Sequence, residues 1–281
     1  MAIREIYHDA ATIEARVAAG EWRNQTLDDC LRRHAAERGE QLVLIDRKWR
    51  LTFAELDRLA HRAACGLYQL GIRPGDVISI QLPNWAEWLI LHCAATKLGA
   101  VTNSIGAVYR QHEVGYILGY AETALLLIPD RYRNFDYTEM VAELWPDLPH
   151  LKHVFVAGEE VPKSMRRFDE LLTKAWEDEV SSATIDQLRP DPNMVATLIF
   201  TSGTTAEPKG VMHTHNTMGA GTDQLNDTVG FALGDAIFMA SPVGHTTAVI
   251  AGARLPVQYG LTAVWQEHWD AAAAVDLIHG E

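Results

Sequence analysis

The chain has 281 residues, of which 48% are hydrophobic, so it can bury a sizeable core in one large domain or two ordinary ones. Its 37 acidic and 24 basic side chains give a formal net charge of −13 at pH 7, which opposes non-specific association with nucleic acid or an anionic membrane surface. Because no stretch approaches the roughly 20 apolar residues of a membrane span or forms a signal peptide, we predict a cytoplasmic protein. We expect small-molecule partners and leave open whether the protein forms a homo-oligomer.

The first large section of the chain, residues 26–129, alternates helical and strand patterns. Such alternation is typical of α/β units around a largely parallel sheet. Thr52 and Glu55 form a capping box at the start of an amphipathic pattern, and Gly71 stands where that helix would end. The sequence therefore predicts an amphipathic helix between these signals.

A second helix in the same section is predicted from another pair of capping residues. Asn84 with Glu87 marks its start, and Gly99 is placed to close it. The other patterns of the section predict strands over 77–82, 100–102 and 124–128 and a helix near 112–120.

The region from residue 129 to 192 is more charged and is punctuated by prolines, with one predicted strand over 151–156. We place a subdomain junction near Pro190. Later patterns predict strands over 194–200, 236–240 and 261–265 and a helix over 270–279. The predicted fold is α/β, with layered subdomains whose mostly parallel sheets are flanked by helices, the first covering residues 1–190 and the second residues 191–281.

The cysteines and two neighbouring histidines are candidates for metal chemistry. The cysteines lack a C-x-x-C pair, so we predict small buried apolar residues rather than disulfides or a zinc site. His213 and His215 stand two residues apart with no acidic residue nearby, which favours a structural role over a metal pair. The three cysteines are Cys30, Cys65 and Cys93. We also predict core or interface anchors at four tryptophans, Trp85, Trp88, Trp265 and Trp269.

The most informative segment is the decapeptide T-S-G-T-T-A-E-P-K-G at residues 201–210, which follows the predicted strand 194–200. Its hydroxyl side chains and backbone N–H groups can surround anionic oxygens, and Gly203 permits close approach because it has no Cβ. Lys209 adds a mobile positive charge suited to a polyphosphate. The segment therefore predicts a phosphate-binding loop, with a Ser/Thr-rich surface turn as the alternative.

Two other phosphate motifs do not fit this chain. The pattern G-x-x-x-x-G-K-[ST], started at Gly203, places Pro208 at the second glycine and Gly210 at the hydroxyl residue. The pattern G-x-G-x-x-G, started at Gly219, places Gln224 at the third glycine, and no predicted strand precedes it. Neither the P-loop nor the dinucleotide fingerprint is therefore present at these positions.

The decapeptide resembles the signature loop of the adenylate-forming superfamily, which includes acyl-CoA synthetases, adenylation domains of peptide synthetases and luciferases, and whose usual form is T-S-G-T-T-G-x-P-K-G. Ala206 stands where the family usually has glycine, and alanine costs on the order of 1 kcal/mol if that position needs a positive φ. The resemblance implies that Mg²⁺-bound ATP places its phosphates against Thr201, Ser202, Gly203, Thr204, Thr205 and Lys209. Runs from T-F-A-E-L-D-R-L-A to K-L-G-A-V are also similar to the N-terminal portion of acyl-CoA synthetases.

The segment S-P-V-G-H at residues 241–245 follows a predicted strand, where α/β sheets place ligand residues. It is similar to the family's Pro-x-x-His motif, whose histidine lies at the mouth of the carboxylate pocket. The resemblance thus implies that His245 borders the acyl and nucleotide pocket, where a neutral imidazole can donate a hydrogen bond. The alternative is that His245 caps the following helix.

The family's later motifs and its C-terminal catalytic lysine are not found in these 281 residues. Residues 259–263 and 234–235 imitate two of those motifs but lack the required carboxylate or order. The resemblance therefore covers only the N-terminal portion of a family member. No catalytic residue is identified, and the helix 270–279 is expected to need a partner strand.

The function that the resemblance implies is ATP-dependent, AMP-forming acid–thiol ligation, in which a fatty or aromatic carboxylic acid becomes an acyl-adenylate and is transferred to CoA. We expect the 281-residue chain alone to be inactive. Two alternatives stay open: a non-catalytic nucleotide- or acyl-binding fragment, and an adenylate-forming enzyme with another acceptor, such as a carrier protein.

Overall fold

The structure, a computed structural model, describes residues 8–201 and 208–280. Its helices are Ala10–Ala18 (α1), Leu27–Arg38 (α2), Phe53–Gln69 (α3), Ala86–Leu98 (α4), Gln111–Tyr120 (α5), Tyr137–Leu144 (α6), Asp169–Thr173 (α7), Ser182–Asp186 (α8), His215–Val229 (α9), Leu255–Tyr259 (α10) and Ala271–Gly280 (α11). A π-helix spans Ala248–Arg254 and short 3₁₀ turns span Trp145–Asp147 and Trp176–Asp178.

The strands are Leu42–Ile45 (β1), Arg50–Thr52 (β2), Val77–Ile80 (β3), Val101–Ser104 (β4), Leu125–Pro129 (β5), Arg131–Tyr132 (β6), Phe135–Asp136 (β7), His153–Ala157 (β8), Arg166–Arg167 (β9), Val195–Thr201 (β10), Lys209–Thr214 (β11), Ala236–Met239 (β12) and Thr262–Trp265 (β13). One sheet has the order β11-β10-β4-β3-β5-β8-β9 and is parallel except at β11. A second has the order β12-β13-β1-β2 and is parallel except at β2. The predicted fold class, mostly parallel sheets flanked by helices, is confirmed.

The central strands β3 and β5 are buried along their whole length, as expected for parallel strands covered by helices on both faces. Helix α3 begins at the predicted capping box, where the Thr52 hydroxyl accepts the Glu55 N–H at 3.2 Å and Glu55 accepts the Thr52 N–H at 2.9 Å. Gly71 follows its end with a φ of +89°, a conformation that glycine adopts without strain. The amphipathic helix is confirmed.

The predicted start of the second helix is wrong by one residue, because the pair Asn84 and Glu87 placed the N-cap at Asn84. Helix α4 begins at Ala86, with Trp85 at the N-cap and no side-chain capping bond. The Asn84 side chain instead bonds to loops far away in the sequence. The Asn84 side chain thus makes tertiary hydrogen bonds instead of the helix-capping bond that the local pattern predicts.

Both sheets combine strands from the two sides of the predicted junction near residue 190. Strand β10 lies beside β4 in the larger sheet, and β13 lies beside β1 in the smaller one. The division into residues 1–190 and 191–281 stays a prediction, and the sheets do not follow it. This interleaving places the carboxyl ends of early and late strands side by side.

The predicted core residues are buried with one exception. The cysteines are free and buried, and Trp85, Trp88 and Trp265 are buried, whereas Trp269 is 65% exposed. Helix α11 buries only Ala274. No helix within residues 8–201 and 208–280 has the length and apolar character needed to cross a membrane.

Candidate functional site

The predicted phosphate loop connects the ends of two antiparallel strands. Thr201 is the last residue of β10 and pairs with Lys209, the first residue of β11. Both side chains are exposed, and the Thr201 hydroxyl donates to the Lys209 carbonyl at 3.5 Å. The predicted contacts Ser202, Gly203, Thr204 and Thr205, together with Ala206, lie outside the described residues. The described ends of the predicted loop, Thr201 and Lys209, lie at the carboxyl end of β10, and parallel α/β sheets bind ligands at such ends.

The loop that carries His245 lies at the same edge of the sheet. Strand β4 is the parallel neighbour of β10, with Ser104 opposite Ile199, so Gly106 and Thr201 each lie two residues beyond this pair. Gly244 packs directly on Gly106, because a Cβ on Gly244 would come within 2.5 Å of the Gly106 Cα. The structure therefore brings the Thr201–Lys209 hairpin and the His245 loop to one edge.

His245 is exposed, and one of its ring nitrogens is already engaged. The Thr247 N–H donates to Nδ1 at 3.2 Å, and the Thr247 hydroxyl lies 3.1 Å from the same nitrogen. In the neutral imidazole the proton therefore sits on Nε2, which can donate to a ligand oxygen. The two interpretations of His245 are compatible, because Nδ1 caps the following turn while Nε2 remains a donor.

Asn84, which follows β3, joins the two sheets at this edge. Its amide nitrogen donates to the carbonyls of Ser241 and Gln266, each at 3.0 Å, and its oxygen accepts the Val243 N–H at 2.9 Å. The residue is 1% exposed. These bonds tie the loops after β12 and β13 to the loop after β3, and thereby position the segment that leads to His245.

Two neighbouring pockets open along the carboxyl ends of the strands. The first is mainly apolar, has a volume of about 380 Å³ and lies between Pro83, Gly106 and Pro242, with Trp269 on one wall. The second is charged, has a volume of about 560 Å³ and lies at the ends of β5 and β8. They share Tyr132, Arg133 and Glu267 as lining residues, so together they form one groove. We call it the carboxyl-edge groove.

The wall of the apolar pocket is held by hydrogen bonds to the loop after β4. The Tyr137 hydroxyl donates to the Ala107 carbonyl at 2.6 Å, and an Arg110 guanidinium nitrogen donates to the same carbonyl at 2.9 Å. The Gln81 amide donates to the Gly106 carbonyl at 3.2 Å. The protein's own hydrogen bonds therefore hold this wall in place, as is usual for small-molecule sites.

His213 and His215, for which a structural role is predicted, differ in their surroundings. His215 is fully buried, where its Nδ1 accepts the Leu27 N–H at 3.4 Å and its carbonyl accepts a hydrogen bond from Arg254 at 3.2 Å. Burial, with the nearby Arg254 charge, lowers the pKa of His215 well below its ordinary value. Burial also lowers the pKa of His213. Both rings are thus favoured in their neutral form.

Sequence reasoning missed Asn84 and Arg133 as residues of this edge. Asn84 lies two residues after the predicted strand 77–82, and the end of a parallel strand is a usual place for ligand residues, which is the signal that could have identified it. Arg133 stands before an asparagine in the dipeptide of a tight turn, and that turn was the only available signal.

The fold and the site together define a class of protein: an α/β protein with a hydroxyl-rich loop and a groove at the ends of its strands. The family model described as AMP-binding enzyme matches residues 31–281. The chain belongs to this family, and the resemblance to adenylate-forming enzymes is confirmed.

Curated relatives and a solved structure agree with this assignment. The 2-hydroxy-7-methoxy-5-methyl-1-naphthoate–CoA ligase of Streptomyces carzinostaticus is 32% identical over 81% of this chain and 41% of its own length. The salicyl-AMP ligase / salicyl-S-ArCP synthetase of Mycobacterium tuberculosis is 33% identical over 71% of this chain and 35% of its own length. The apo structure of Mycobacterium smegmatis MbtA superposes with a TM-score of 0.84 at 29% identity, covering 97% of this chain and 50% of that one. The chain thus spans half or less of each of these proteins.

Proposed function

We propose that the chain forms the ATP-binding portion, bordering the acyl pocket, of an AMP-forming acid–thiol ligase. In this reaction the carboxylate attacks the α-phosphate of ATP, the bond to the β-phosphate breaks and pyrophosphate leaves. The thiol then attacks the acyl-adenylate carbonyl, AMP leaves and a thioester forms, with the thiol proton released. The proposal rests on the observation that the Thr201–Lys209 hairpin and the His245 loop lie at the same edge of the sheet.

The chain contributes binding and orientation to this reaction. The hairpin would hold the β- and γ-phosphates, with Lys209 as the charged contact, and His245 Nε2–H would donate to an oxygen of the carboxylate. Among the described residues no group of three or more His, Cys, Asp or Glu side chains could hold a metal ion. Mg²⁺, when bound to the ATP phosphates, would offset part of their negative charge. By holding ATP and the carboxylate in line, Lys209 and His245 would lower the activation barrier for attack on the α-phosphate.

The proposed acid is aromatic, with a fatty acid as the alternative. The two curated relatives described above are named for a naphthoate and for salicylate. The proposed acceptor is CoA, and the alternative is a carrier protein, because the second of these relatives is named for ArCP. Both acceptors would reach the acyl-adenylate from the apolar pocket beside Pro242, which adjoins the His245 loop.

The phosphate contact can be tested by Lys209→Ala. Loss of a charge-assisted hydrogen bond worth roughly 1.5–3 kcal/mol should weaken ATP binding by about 10- to 100-fold. Calorimetric titration of ATP into the 281-residue chain measures this, with Lys163→Ala as the control, because Lys163 is exposed on a segment remote from the hairpin. An unchanged ATP affinity in Lys209→Ala would remove Lys209 from the site.

Catalysis is separated from binding by pyrophosphate exchange with a panel of aromatic and fatty acids. Turnover by this polypeptide supports an enzyme that needs no further segment. Binding of ATP without exchange supports the second candidate, a nucleotide- or acyl-binding fragment. We expect binding without exchange, because the segments that carry the family's later motifs are not in this sequence.

A further inference from the structure

A small buried cavity lies at the end of β10 that is opposite to the Thr201–Lys209 hairpin. His215, one of the residues that line this cavity, follows Thr214, which pairs with the first residue of β10, Val195. The cavity has a volume of about 10 Å³, which is about the room that one water molecule needs. It is therefore separate from the carboxyl-edge groove and too small for a nucleotide or an acyl group.

The cavity is lined by a buried positive charge that has no carboxylate partner among the described residues. Arg254 is the last residue of the π-helix and is 2% exposed. One guanidinium nitrogen donates to the His215 carbonyl at 3.2 Å, whereas Nε has no hydrogen-bond partner in the described part of the chain. Burial lowers the pKa of Arg254 to about 10, so the side chain remains charged at neutral pH. A buried charge is costly unless another charge offsets it.

The carboxylate of Asp223, whose charge acts on Arg254, is already bound to other groups. It accepts hydrogen bonds from Arg23 Nε at 2.9 Å, from the Tyr259 hydroxyl at 2.8 Å and from the Gln258 amide at 2.5 Å. The ion pair with Asp223 offsets the charge of Arg23, which also lines the cavity. The lining residues therefore retain one positive charge, that of Arg254.

Two helices begin beside the cavity. Helix α9 begins at His215, and helix α2 begins after its N-cap Thr26, directly preceded by the lining residue Gln25. The amino ends of helices carry a partial positive charge that stabilises an anion. Nδ1 of His215 accepts the Leu27 N–H at 3.4 Å, so the hydrogen of the neutral ring is on Nε2, a further donor. The Gln25 amide oxygen is buried without a partner, and half a turn of the amide would present its NH₂ group instead.

We propose that the cavity binds a chloride ion as the counter-charge of Arg254. A monatomic anion is close in size to the water molecule that the cavity can hold, whereas phosphate, sulfate and carboxylates are larger. The ion would accept hydrogen bonds from the Arg254 guanidinium and would connect α9, the π-helix and the segment before α2. A water molecule in the same place would leave the charge unbalanced. The inference does not depend on the proposed ligase function.

The chloride dependence of unfolding tests the site in the 281-residue chain. Urea unfolding is followed by circular dichroism in mixtures of sodium chloride and sodium gluconate at constant ionic strength, because gluconate is too large for the cavity. A single site that exists only in the folded state raises the folded-to-unfolded ratio about tenfold for each tenfold rise in chloride above its dissociation constant. We expect this rise in the wild type, and equal stability in the two salts would overturn the proposal.

Three variants show whether the effect comes from this cavity. Arg254→Met removes the charge and keeps an unbranched side chain, and it should abolish the chloride dependence. Gly219→Ala should abolish it too by filling the cavity, because the added Cβ would lie 3.6 Å from Arg254 Nη2 and 3.8 Å from Gln258 Oε1. Gly221→Ala in the same helix is the matched control, since its Cβ would meet the Ile250 side chain, and it should keep the full dependence. A dependence that persists in either Arg254→Met or Gly219→Ala would overturn the assignment.

The test does not require Arg254→Met to fold, because Gly219→Ala adds only an ordinary van der Waals contact. Anomalous diffraction at a long X-ray wavelength, from wild-type crystals grown in sodium chloride, distinguishes chloride from water. We expect an anomalous peak in the cavity beside Arg254. A water molecule at that position would contradict the proposal.

Discussion

At the scale of single residues, Asn84 determines how the two sheets meet. We predict that Asn84→Ala destabilises the protein by on the order of 3 kcal/mol, because two carbonyls and one N–H lose a buried partner. Urea unfolding followed by circular dichroism measures the loss. The same variant should weaken any ligand contact made by His245, since the loop that leads to it loses its tie to β3.

The isosteric Asn84→Asp serves as the comparison. Aspartate retains an acceptor for the Val243 N–H but cannot donate to the Ser241 and Gln266 carbonyls. It should therefore be at least as destabilised as Asn84→Ala. If Asn84→Asp were as stable as wild type, side-chain volume rather than the amide donor would account for the role of Asn84.

Residue roles were predictable where they depend on neighbours in the sequence. The capping pair Thr52 and Glu55 was recognised because its hydrogen bonds span three residues. Asn84 was assigned to a helix start because its true partners lie 157 to 182 residues further along the chain. The predicted phosphate contacts at Ser202–Thr205 lie outside the described residues and stay predictions.

At the scale of elements, the loops after β4 and β12 are in backbone contact. We predict that Gly244→Ala destabilises the protein by about 1–3 kcal/mol, because its Cβ would meet the backbone of Gly106 at 2.5–2.7 Å. Backbone atoms cannot move aside as a flexible side chain can. Thermal and urea unfolding quantify the effect, and the two loops should separate at the edge that carries the candidate site.

Gly221→Ala is the matched control within α9. There an added Cβ would meet only the Ile250 side chain at an ordinary 3.6 Å, and alanine is favoured over glycine within a helix by roughly 0.5–1 kcal/mol. This variant should be as stable as wild type or more so. Similar losses in both glycine variants would contradict a specific contact between Gly244 and Gly106.

The elements that the sequence did predict lie within a few residues of those in the structure, because buried parallel strands and amphipathic helices have clear sequence patterns. Strand β12 was expected over 236–240 and spans Ala236–Met239, and α11 was expected over 270–279 and spans Ala271–Gly280. The π-helix Ala248–Arg254 was not foreseen. Its apolar composition is that of an ordinary buried helix, so the sequence pattern alone does not distinguish its wider turn.

At the scale of the whole molecule, the sheets join strands that are distant in the chain. Strand order depends on which apolar faces meet, and no pattern within residues 1–190 indicates that β1 will pair with β13. The carboxyl-edge groove is a consequence of this pairing, because its lining combines loops after β3, β4 and β5 with loops after β12 and β13. The groove could therefore not be assembled from local sequence, although the loop at residues 201–210 could be recognised.

Buried histidines predict how the stability of the whole molecule depends on pH. Burial, with the charge of Arg254, lowers the pKa of His92 to about 3 and that of His215 well below 6.5. Because the unfolded state binds these protons more readily, stability is fully present above about pH 6.5 and is lost as pH falls towards the folded-state pKa values. The slope contributed by each histidine rises towards about 1.4 kcal/mol per pH unit below pH 6.5 and averages about 1 kcal/mol over the first unit. The free energy of unfolding should fall by about 2 kcal/mol between pH 6.5 and 5.5.

Urea unfolding at pH 7.5, 6.5 and 5.5 and constant ionic strength measures this loss. His92→Gln should reduce the loss between pH 6.5 and 5.5 by about 1 kcal/mol, since glutamine does not titrate and can still bond to Thr102, whose hydroxyl lies 2.8 Å from His92 Nδ1. The surface variant His150→Gln is the control for the substitution itself, because this side chain is exposed. If the free energy of unfolding stayed constant from pH 7.5 to 5.5, protonation of His92 and His215 would cost the folded state nothing. That result would contradict their burial near the charge of Arg254. Among the described residues, no carboxylate lies within hydrogen-bonding distance of Arg254 to offset this charge.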